Sequence, residues 1–394
     1  MKNCIKVGSD FSGVGAFNQS LKRLNIEYKE VFACDMDKYA RQTFIHNYGE
    51  PEYYPTNVYE REIPSESLDI YMTSPPCQAF SLAGKRLGKD DKRGILFFNS
   101  LEFIQINKPR FFIFENVKGL LSDDGGKTFS EWVNLLGGKS INGNTTLFPF
   151  EESVPYHLYW QVLNAKNYEV PQNRERVFLI GIRDDSDNNF RFPIEEKLNK
   201  KLKDVLEKKV NKKYFLSEKM LNFVLTTTFR ESKPIDINND IAPCVKVGGD
   251  VSCFDTNKLK IKSATSKGYE EAIEGDSINF SVPNSKTRRG RVGKQVAQTL
   301  DTAFNQGVII DATNSFGKEF KLYENYSPTL RSERHGLQTI QNYKIRRLTP
   351  RECFRLMDFP DTFSWPVSDS QAYKQAGNSI VVNVLAKIIK RLPL

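Results

Sequence analysis

The sequence predicts a doubly wound α/β sheet followed by a second, smaller domain. Short apolar runs alternate with helical segments over the first third of the chain, an order that is typical of parallel strands joined by crossover helices. The apolar runs have the length and the aliphatic or aromatic content of strands that are buried on both faces. The 394 residues are enough to bury one large core, or a large and a small one.

The predicted elements of the first domain follow one another in regular alternation. In chain order they read IKVGS, AFNQSLKRL, EVFACD, KYARQTFIHNY, LDIYMTS, GILFFNSLEFIQI and RFFIFEN. Phe17, Leu21 and Leu24 fall on one face of the first helix. HLYWQVL and RVFLIGI add two later strands, after a glycine- and asparagine-rich surface loop at residues 137–146. We expect the sheet to end near Arg191.

The composition changes near residue 197, which indicates a second domain. KLNKKLKDVLEKKVNKK predicts a lysine-rich helix, and short strands and turns follow it. The final segment, SQAYKQAGNSIVVNVLAKIIKRL, regains a helical period, and we expect it to return to the first domain. The predicted boundaries are 1–195 with 366–394 for the first domain, 196–345 for the second, and 346–365 for a connecting segment near the second.

Composition excludes several classes of protein. The six cysteines contain no CxxC pair and the three histidines form no close pair, so neither a disulfide framework nor a metal site is indicated. The N-terminus lacks an apolar signal core, and no apolar run approaches membrane-spanning length, which predicts a soluble protein of the cytoplasm. A formal net charge of +9 favours a polyanionic partner, although charge alone also fits many ordinary basic proteins.

Residues that could bind a ligand or take part in a reaction lie where the predicted strands end, which is where doubly wound sheets bind ligands. The turn DFSGVGAF closes the first strand, and Gly13 and Gly15 would let a ligand approach the backbone, although a plain turn is the alternative. Asp35 ends the second strand. An acid there accepts hydrogen bonds from the ribose hydroxyls of a nucleoside cofactor or, alternatively, caps a helix.

Cys77 and Glu115 end the next two long strands and are expected to converge. Two prolines stiffen the approach to Cys77, whose alternative role is that of a small buried hydrophobe. Glu115 follows four apolar residues, and its alternative role is a structural salt bridge. A thiol and a carboxyl beside a nucleoside pocket suggest attack on an electron-poor ring. Arg174 and Arg176 would favour the thiolate, unless they form a solvated charge cluster.

The motifs and their order resemble those of the cytosine-5 DNA methyltransferases. The stretches that carry the resemblance are DFSGVGAF, PPCQAFS, ENVKGLL, QNRERVFLIGIR, RRLTPRECFRLMDFPD and QAYKQAGNS. They lie within residues 9 to about 192 and 346 to 394. The resemblance implies a Rossmann-like methyltransferase domain that uses S-adenosylmethionine, and a smaller, mostly β target-recognition domain at residues 196–345 that binds double-stranded DNA.

The resemblance also implies which residues bind the cofactor. Asp35 would hold the ribose, Leu96 would lie along the cofactor, and the C-terminal helix would close the pocket. The implied cofactor-binding residues are Phe11, Ser12, Gly13, Val14, Asp35, Met36, Asn57, Pro76, Leu96, Asn378, Ser379 and Ile380. Two features depart from the family pattern. Asp10 stands one residue later than the usual acid of the first motif. The acid that usually lies beside the adenine is not evident, and Asn57 is the nearest candidate for its position.

For the reaction, the resemblance implies that Cys77 adds to carbon 6 of a cytosine flipped out of the duplex, which makes carbon 5 a nucleophile. Glu115 would hydrogen-bond the ring nitrogen and the exocyclic amine, Arg176 would brace the base, and Arg174 would support the site. Residues on the loop after Cys77, a threonine-leucine element and a basic stretch would contact DNA, although the basic stretch alone also fits a solvated loop. The implied DNA-binding residues are Gln78, Ser81, Thr299, Arg288, Arg289 and Arg291.

The leading prediction is therefore sequence-specific DNA cytosine methylation by a monomer. The first motif begins within ten residues of Met1 with no regulatory domain before it, which favours the modification half of a prokaryotic restriction system, with a cognate endonuclease as a partner and a nucleoid-associated, cytoplasmic location. Two alternatives stay open, a transfer-RNA cytosine-5 methyltransferase and a catalytically silent nucleic-acid-binding relative.

Overall fold

The computed structural model describes residues 4–76, 95–183, 189–217, 220–221, 225, 259–282, 285–302, 305–311 and 343–394. The chain divides into two compact units. The first comprises Met1–Lys200, Thr299–Ala303 and Cys353–Leu394, and the second comprises Lys201–Gln298 and Phe304–Glu352. Residues 196–200, 299–303 and 353–365, which the predicted boundaries place outside the first domain, thus belong to the first unit.

The first unit contains a mixed sheet of eight described strands in the order β2-β1-β3-β4-β9-β7-β5-β6. Strands β2, β1, β3 and β4 are parallel, whereas β9 runs antiparallel to both β4 and β7. This arrangement confirms the predicted α/β sheet. The strands are β1 (Ile5–Asp10), β2 (Tyr28–Cys34), β3 (Ile70–Thr73), β4 (Phe111–Val117), β5 (Ser140–Ile141), β6 (Asn144–Thr145), β7 (His157–Asn164), β8 (Gln172–Asn173, outside this sheet) and β9 (Glu175–Ile182).

Helices pack around this sheet. Ser20 Oγ of α1 donates to the carbonyl of Val382 in α7 at 3.1 Å, and Phe97 of α3 stacks on Trp132 of α4 with ring centroids 4.1 Å apart. Stacked aromatic pairs of this kind add about 0.5–1.5 kcal/mol beyond the burial of their area. The described α-helices are α1 (Ala16–Arg23), α2 (Lys38–Tyr48), α3 (Ile95–Asn107), α4 (Lys127–Leu136), α5 (Pro350–Leu356), α6 (Asp369–Asn378) and α7 (Val382–Ile389).

The C-terminal segment, for which the sequence predicts one helical period, is broken into α6 and α7. The backbone is extended at Ser379, with φ −72° and ψ 161°, and at Val381, with φ −71° and ψ 115°. The last carbonyls of a helix have no partner within it, so the carbonyls near this break are available to other donors. None of the described helices is long and apolar enough to cross a membrane.

The second unit consists mainly of short strands in its described part. β12, β13, β15 and β16 form an antiparallel sheet in the order β13-β12-β15-β16, and β10 pairs with β11. Ile261, Ile278, Phe280, Ile309 and Ile345 belong to its hydrophobic core. The strands are β10 (Leu259–Lys262), β11 (Tyr269–Ala272), β12 (Ser277–Asn279), β13 (Val292–Gly293), β14 (Ala297–Gln298), β15 (Gln306–Asp311) and β16 (Tyr343–Arg347).

The predicted lysine-rich helix is wrong. The segment contains only two short 3₁₀ turns, Leu202–Val205 and Lys212–Tyr214. Leu202 and Val205 are its buried side chains in the first turn, and Leu202 N–H donates to the carbonyl of Gln295 at 2.8 Å. Leu198, Leu202, Val205, Leu206 and Val210 would share one face of a helix. Within this segment only Leu202 and Val205 are buried, so the apolar period is not used for packing, and tertiary contacts decide the conformation instead.

Candidate active site

The turn after β1 provides space at its glycine backbone. Phe11, Gly13 and Gly15 have positive φ values of 57°, 55° and 83°, and Ser12 N–H donates to the carbonyl of Cys34 at 2.9 Å. A Cβ at Gly13 would meet no atom closer than the Phe11 carbonyl at 4.0 Å, whereas a Cβ at Gly15 would lie 2.3 Å from the Tyr48 ring. Gly13 therefore leaves room for a ligand, and Gly15 is required by packing.

Asp35 lies beside this turn and is bonded to it. Its Oδ2 accepts from Gly13 N–H and its Oδ1 accepts from Asp37 N–H, both at 2.8 Å. Burial raises the pKa of the Asp35 carboxyl, and these two backbone donors oppose that shift. The side chain that caps α2 is that of Asp37, which accepts from the N–H groups of Tyr39 and Ala40. Asp35 is thus not the helix cap, and each of its oxygens has a further lone pair for a ligand hydroxyl.

A buried ion pair lies under the same turn. Arg61 Nε and Asp10 Oδ1 are 3.0 Å apart, and Tyr71 OH donates to Asp10 Oδ2 at 2.6 Å. The Arg61 guanidinium also lies 4.7 Å from the centroid of the Phe103 ring. Burial raises the pKa of Asp10, and the Arg61 cation opposes this shift. Removing one partner of such a pair costs about 3–5 kcal/mol because the other charge is left buried and unpaired, so Asp10 and Arg61 depend on each other.

Glu115 forms a buried ion pair at the end of β4. Arg176 Nε lies 3.1 Å from Glu115 Oε1, and Arg176 lies opposite Val117 in the antiparallel register of β4 and β9. Burial raises the pKa of the Glu115 carboxyl, although the Arg176 and Arg174 guanidinium groups act in the opposite direction. Glu115 is therefore a desolvated carboxyl held in one orientation by a cation.

The neighbouring residue, Asn116, connects β4 to the proline segment after β3. Asn116 Nδ2 donates to the carbonyl of Pro75 at 3.3 Å, and its Oδ1 accepts from Val117 N–H. Asn116 is not among the predicted site residues, although its position next to Glu115 in the ENV motif was a usable signal. Pro76 is exposed. Cys77, Gln78 and Ser81 lie outside the described residues, and their roles stay predictions.

Arg174 is buried and contacts the break between α6 and α7. Its Nη2 donates to the carbonyls of Gly377 at 3.0 Å and Ser379 at 2.8 Å, and its Nη1 donates to the carbonyl of Leu300 at 3.3 Å. Burial lowers the pKa of the Arg174 guanidinium, and the Arg176 cation adds to this effect. Arg174 and Arg176 are therefore not a solvated charge cluster, and they have different partners.

The other predicted cofactor residues differ in accessibility. Met36 is 85% exposed beside Asp35, and Asn378 is also exposed. Val14, Ser379 and Ile380 are buried, and Leu96 packs against the main core. α6 lies next to the Asp35 turn, because Lys374 Nζ donates to Asp37 Oδ2 at 2.7 Å.

Asn57 is already bonded within its own turn. Its Oδ1 accepts from Tyr59 N–H at 3.1 Å, and its Nδ2 donates to Glu60 Oε1 at 3.2 Å. A contact to an adenine would have to compete with these two local hydrogen bonds, so the structure offers no support for Asn57 as the adenine partner.

The predicted DNA-binding residues include one that is wrong on structural grounds. Arg291 is only 2% exposed, and its guanidinium donates to the carbonyls of Asn279, Ser281 and Val282. Its charge stabilises its own loop and cannot reach a phosphate. Arg289 is exposed and Arg288 half-buried. Thr299 is exposed, and its Oγ1 donates to the carbonyl of Asn173 at 2.8 Å.

Among the described residues no group of three His, Cys, Asp or Glu side chains could hold a metal ion.

The described part of the site joins three pairs of groups. Gly13 is bonded to Asp35, Glu115 is paired with Arg176, and Asn116 holds the chain two residues before Cys77.

Comparison with known proteins gives consistent findings. A family model described as C-5 cytosine-specific DNA methylase matches residues 5–393. The chain is 31% identical to the orphan methyltransferase M.SPRI of Bacillus phage SPR, over 98% of this chain and 97% of the relative. It is also 31% identical to the type II methyltransferase M.HhaI of Haemophilus parahaemolyticus, over 96% and 91% of the two chains. The crystal structure of the S. pombe Dnmt2 methyltransferase has a similar fold, with a TM-score of 0.56, 16% identity and coverage of 98% and 97%.

Proposed function

The chain belongs to the C-5 cytosine-specific DNA methylase family and is a DNA (cytosine-5-)-methyltransferase, and from this premise we propose how it acts. It methylates carbon 5 of a cytosine that is flipped out of a specific duplex sequence, with S-adenosylmethionine as the methyl donor and Cys77 as a covalent catalyst. The observation that carries this proposal is the buried Glu115–Arg176 pair beside Asn116, whose side chain holds Pro75.

The described residues fit the proposed cofactor. Gly13 leaves open space at the backbone, the Asp35 oxygens can accept from two ribose hydroxyls, and the exposed Met36 side chain can cover an apolar face of the adenine. Two contacts support a role for Ser379: Arg174 donates to its carbonyl, and α6, which precedes it, contacts Asp37. When bound, S-adenosylmethionine supplies the methyl group.

The protein side chains prepare the base. The Cys77 thiolate forms a bond to carbon 6, and the electron pair of the carbon 5–carbon 6 double bond shifts so that carbon 5 becomes a nucleophile. Loss of the carbon 5 proton after methylation restores the double bond and expels the thiolate. Because the base cannot be reached while it is stacked, the target nucleotide must leave the duplex.

Glu115 assists the addition as a hydrogen-bond donor. A protonated carboxyl can donate to ring nitrogen 3, and its carbonyl oxygen can accept from the exocyclic amine. The burial that raises the pKa of Glu115 makes protonation less costly, and Arg176 keeps the group oriented. The Arg176 cation also limits the rise, so the carboxyl can exchange its proton during the reaction.

A duplex library that contains 5-fluorocytosine tests this mechanism. Fluorine at carbon 5 allows addition and methylation but cannot leave as a proton, so the enzyme should stay bonded to DNA. We expect a complex that survives denaturation, requires S-adenosylmethionine and maps to the Cys77 peptide. Random flanking sequences would in addition reveal the recognised sequence when the trapped DNA is read.

Matched variants decide the role of each residue. Cys77→Ala should abolish the complex, whereas Cys4→Ala, at an exposed free cysteine, should not affect it. Glu115→Gln should slow its formation by about 10²-fold or more, since an amide cannot transfer a proton to the ring. Fluorinated transfer RNA is the comparison substrate. Adduct formation by Cys77→Ala, or with RNA in place of duplex DNA, would refute the proposal.

A further inference from the structure

Helix α3 has an apolar surface that the other described residues leave uncovered. Its sequence, ILFFNSLEFIQIN, places apolar side chains on every side, a pattern that is typical of a helix enclosed all round. Phe97 and Leu101 are buried, but Phe98 is 49% exposed and Ile106 is exposed as well. Within the part of the chain that the structure describes, the face that contains Phe98, Glu102 and Ile106 therefore lacks the cover that its composition predicts.

A cavity of about 560 Å³ opens on this face, between α3, α4 and residues 147–152. Phe98 and Leu101 of α3, Leu135 of α4 and Phe150 of the loop provide its apolar lining. The loop is held in place at its end, because Gln105 Nε2 donates to the carbonyl of Glu152 at 2.9 Å. The volume is in the range of pockets that bury a ligand or an anchoring side chain.

The apolar surface continues outside the cavity. Phe148 is 91% exposed, and Leu147 and Phe150 beside it are also exposed. Neighbouring exposed aromatic and aliphatic side chains on a fixed loop are typical of protein interaction sites, whereas single exposed apolar residues are ordinary. The loop therefore extends the cavity into a surface that can hold an extended segment. We refer to the cavity and residues 147–150 together as the α3 surface.

The charge of the α3 surface is opposite to that of the whole chain. Glu102, Glu131 and Glu152 line the cavity, and no lysine or arginine is among its lining residues. Within the described part of the chain none of these three carboxylates forms an ion pair. In a chain of net charge +9, this local acidity favours a cationic occupant and opposes DNA. The exposed aromatic faces add cation–π attraction.

The α3 surface is also separate from the strand ends that form the candidate active site. In the sequence α3 follows β3 and precedes β4, and these two strands are parallel. The helix therefore runs from the carboxyl ends of the strands toward their amino ends. Glu102 and Gln105 lie in its second half. A partner bound there would not occupy the turn at Gly13 or the pair at Glu115.

We propose that the α3 surface docks a cationic peptide segment of a partner protein. Basic side chains of that segment pair with the carboxylates of Glu102, Glu131 and Glu152, and an apolar side chain between them enters the cavity lined by Phe98 and Phe150. Anchoring of one apolar group in a pocket with charged neighbours is a common way in which short segments are recognised.

Selection from a phage-displayed library of random 12-residue peptides tests this proposal. The full chain is the target, and the variant Phe148→Ser/Phe150→Ser is used to deplete other binders. We expect the enriched peptides to contain at least two Lys or Arg residues next to Leu, Ile, Phe or Trp. Their Kd, measured by fluorescence anisotropy, should rise at least about tenfold for Phe148→Ser/Phe150→Ser and for Glu102→Lys/Glu152→Lys.

The control variant is Ile194→Ser/Glu27→Lys, which changes an exposed apolar and an exposed acidic residue elsewhere. It should leave the Kd within about twofold of the parent value. Three results would overturn the proposal: no peptide that either variant of the α3 surface weakens, equal affinity when the apolar residue of a peptide is replaced by serine, or displacement of the peptides by duplex DNA. Dimers of the free protein that Phe148→Ser/Phe150→Ser dissolves, seen by sedimentation velocity, would instead identify a second copy of the chain as the occupant.

Discussion

Glu30, within β2, is a half-buried carboxyl that the proposed reaction does not use. Its Oε1 accepts from Asn18 Nδ2 at 2.9 Å, and the same amide donates to Tyr28 OH at 3.2 Å. Burial raises the pKa of Glu30 from 4.5 to about 7, and the Asn18 hydrogen bond opposes this shift. Ionisation of Glu30 is thus less favourable in the folded chain than in the unfolded one.

We predict that Glu30→Gln removes part of the loss of stability at alkaline pH. Because its folded pKa lies above the unfolded value, the contribution of Glu30 to stability is complete below pH 4.5 and is lost as the pH rises to about 7. At pH 8 the variant should exceed the parent in free energy of unfolding by about 1–3 kcal/mol, whereas at pH 4.5 the two should be similar.

Urea unfolding at the two pH values measures this difference. Glu27→Gln is the control, because Glu27 is exposed just before the same strand. If Glu30→Gln destabilised the chain equally at both pH values, the hydrogen bond from Asn18 would matter more than the burial of the charge.

The site residues that the sequence analysis found are those placed by a strand end. Asp35 and Glu115 each follow a buried apolar run, so the topology of a doubly wound sheet locates them. Arg61 and Asn116 were missed because their partners, Asp10 and Pro75, are remote in sequence, and only packing brings them together. Composition likewise could not show that Arg291 is buried. The sequence of a basic stretch does not reveal whether its side chains face solvent or donate to backbone carbonyls.

At the scale of elements, the break between α6 and α7 determines what Arg174 can do. A continuous helix would use its carbonyls internally, but the extended residues after α6 leave those of Gly377 and Ser379 to the Arg174 guanidinium. The same side chain reaches the carbonyl of Leu300. One cation thereby fixes the segment that is proposed to close the cofactor site and the neighbouring Thr299–Leu300 element.

We predict that Arg174→Lys weakens S-adenosylmethionine binding at least about tenfold. A lysine keeps the charge, but its single nitrogen cannot replace the planar fork that serves three carbonyls, and each lost bond to a charged group costs about 1.5–3 kcal/mol. Titration calorimetry measures the affinity, and a thermal melt monitors folding. Arg183→Lys is the control, because Arg183 donates to the carbonyl of Lys108 near the start of β4. Unchanged affinity in Arg174→Lys would separate the α6–α7 break from cofactor binding.

The strands of the sheet were predicted from their apolar runs, whereas a helical apolar period alone predicted neither the 3₁₀ turns near Leu202 nor the end of α6. The strands of the sheet and α1 have buried faces that the sequence pattern reveals. The lysine-rich segment near Leu202 has apolar residues at helical spacing, but only Leu202 and Val205 of the segment are buried, and contacts such as that of Leu202 N–H with the carbonyl of Gln295 hold it in 3₁₀ turns. The α6–α7 break was missed because Ser379 and Ile380 do not interrupt the apolar period on which the prediction depended.

At the scale of the whole molecule, the order of the motifs was readable but the recognised DNA sequence was not. The motifs identify the family because each combines a strand end with a chemically required side chain. Base recognition depends instead on which side chains reach the base edges, and no composition or period specifies that. The sequence does specify a net charge of +9. This charge affects the affinity for DNA because lysine and arginine side chains neutralise phosphates.

The positive charge of the chain should make its affinity for DNA depend on salt. Each phosphate that the enzyme neutralises should contribute about −0.9 to the slope of log affinity against log salt concentration, so the slope counts the cations at the interface. Arg289 is exposed and Arg291 is not, although they are two residues apart. If Arg289 contacts a phosphate, Arg289→Gln should make the slope less steep by about 0.9 without affecting folding. Arg291→Gln should instead lower the melting temperature, because it removes bonds to three carbonyls in its loop. Anisotropy titrations with duplex DNA over a range of salt measure the slopes, and a parent slope near zero would contradict a phosphate-binding surface on this chain.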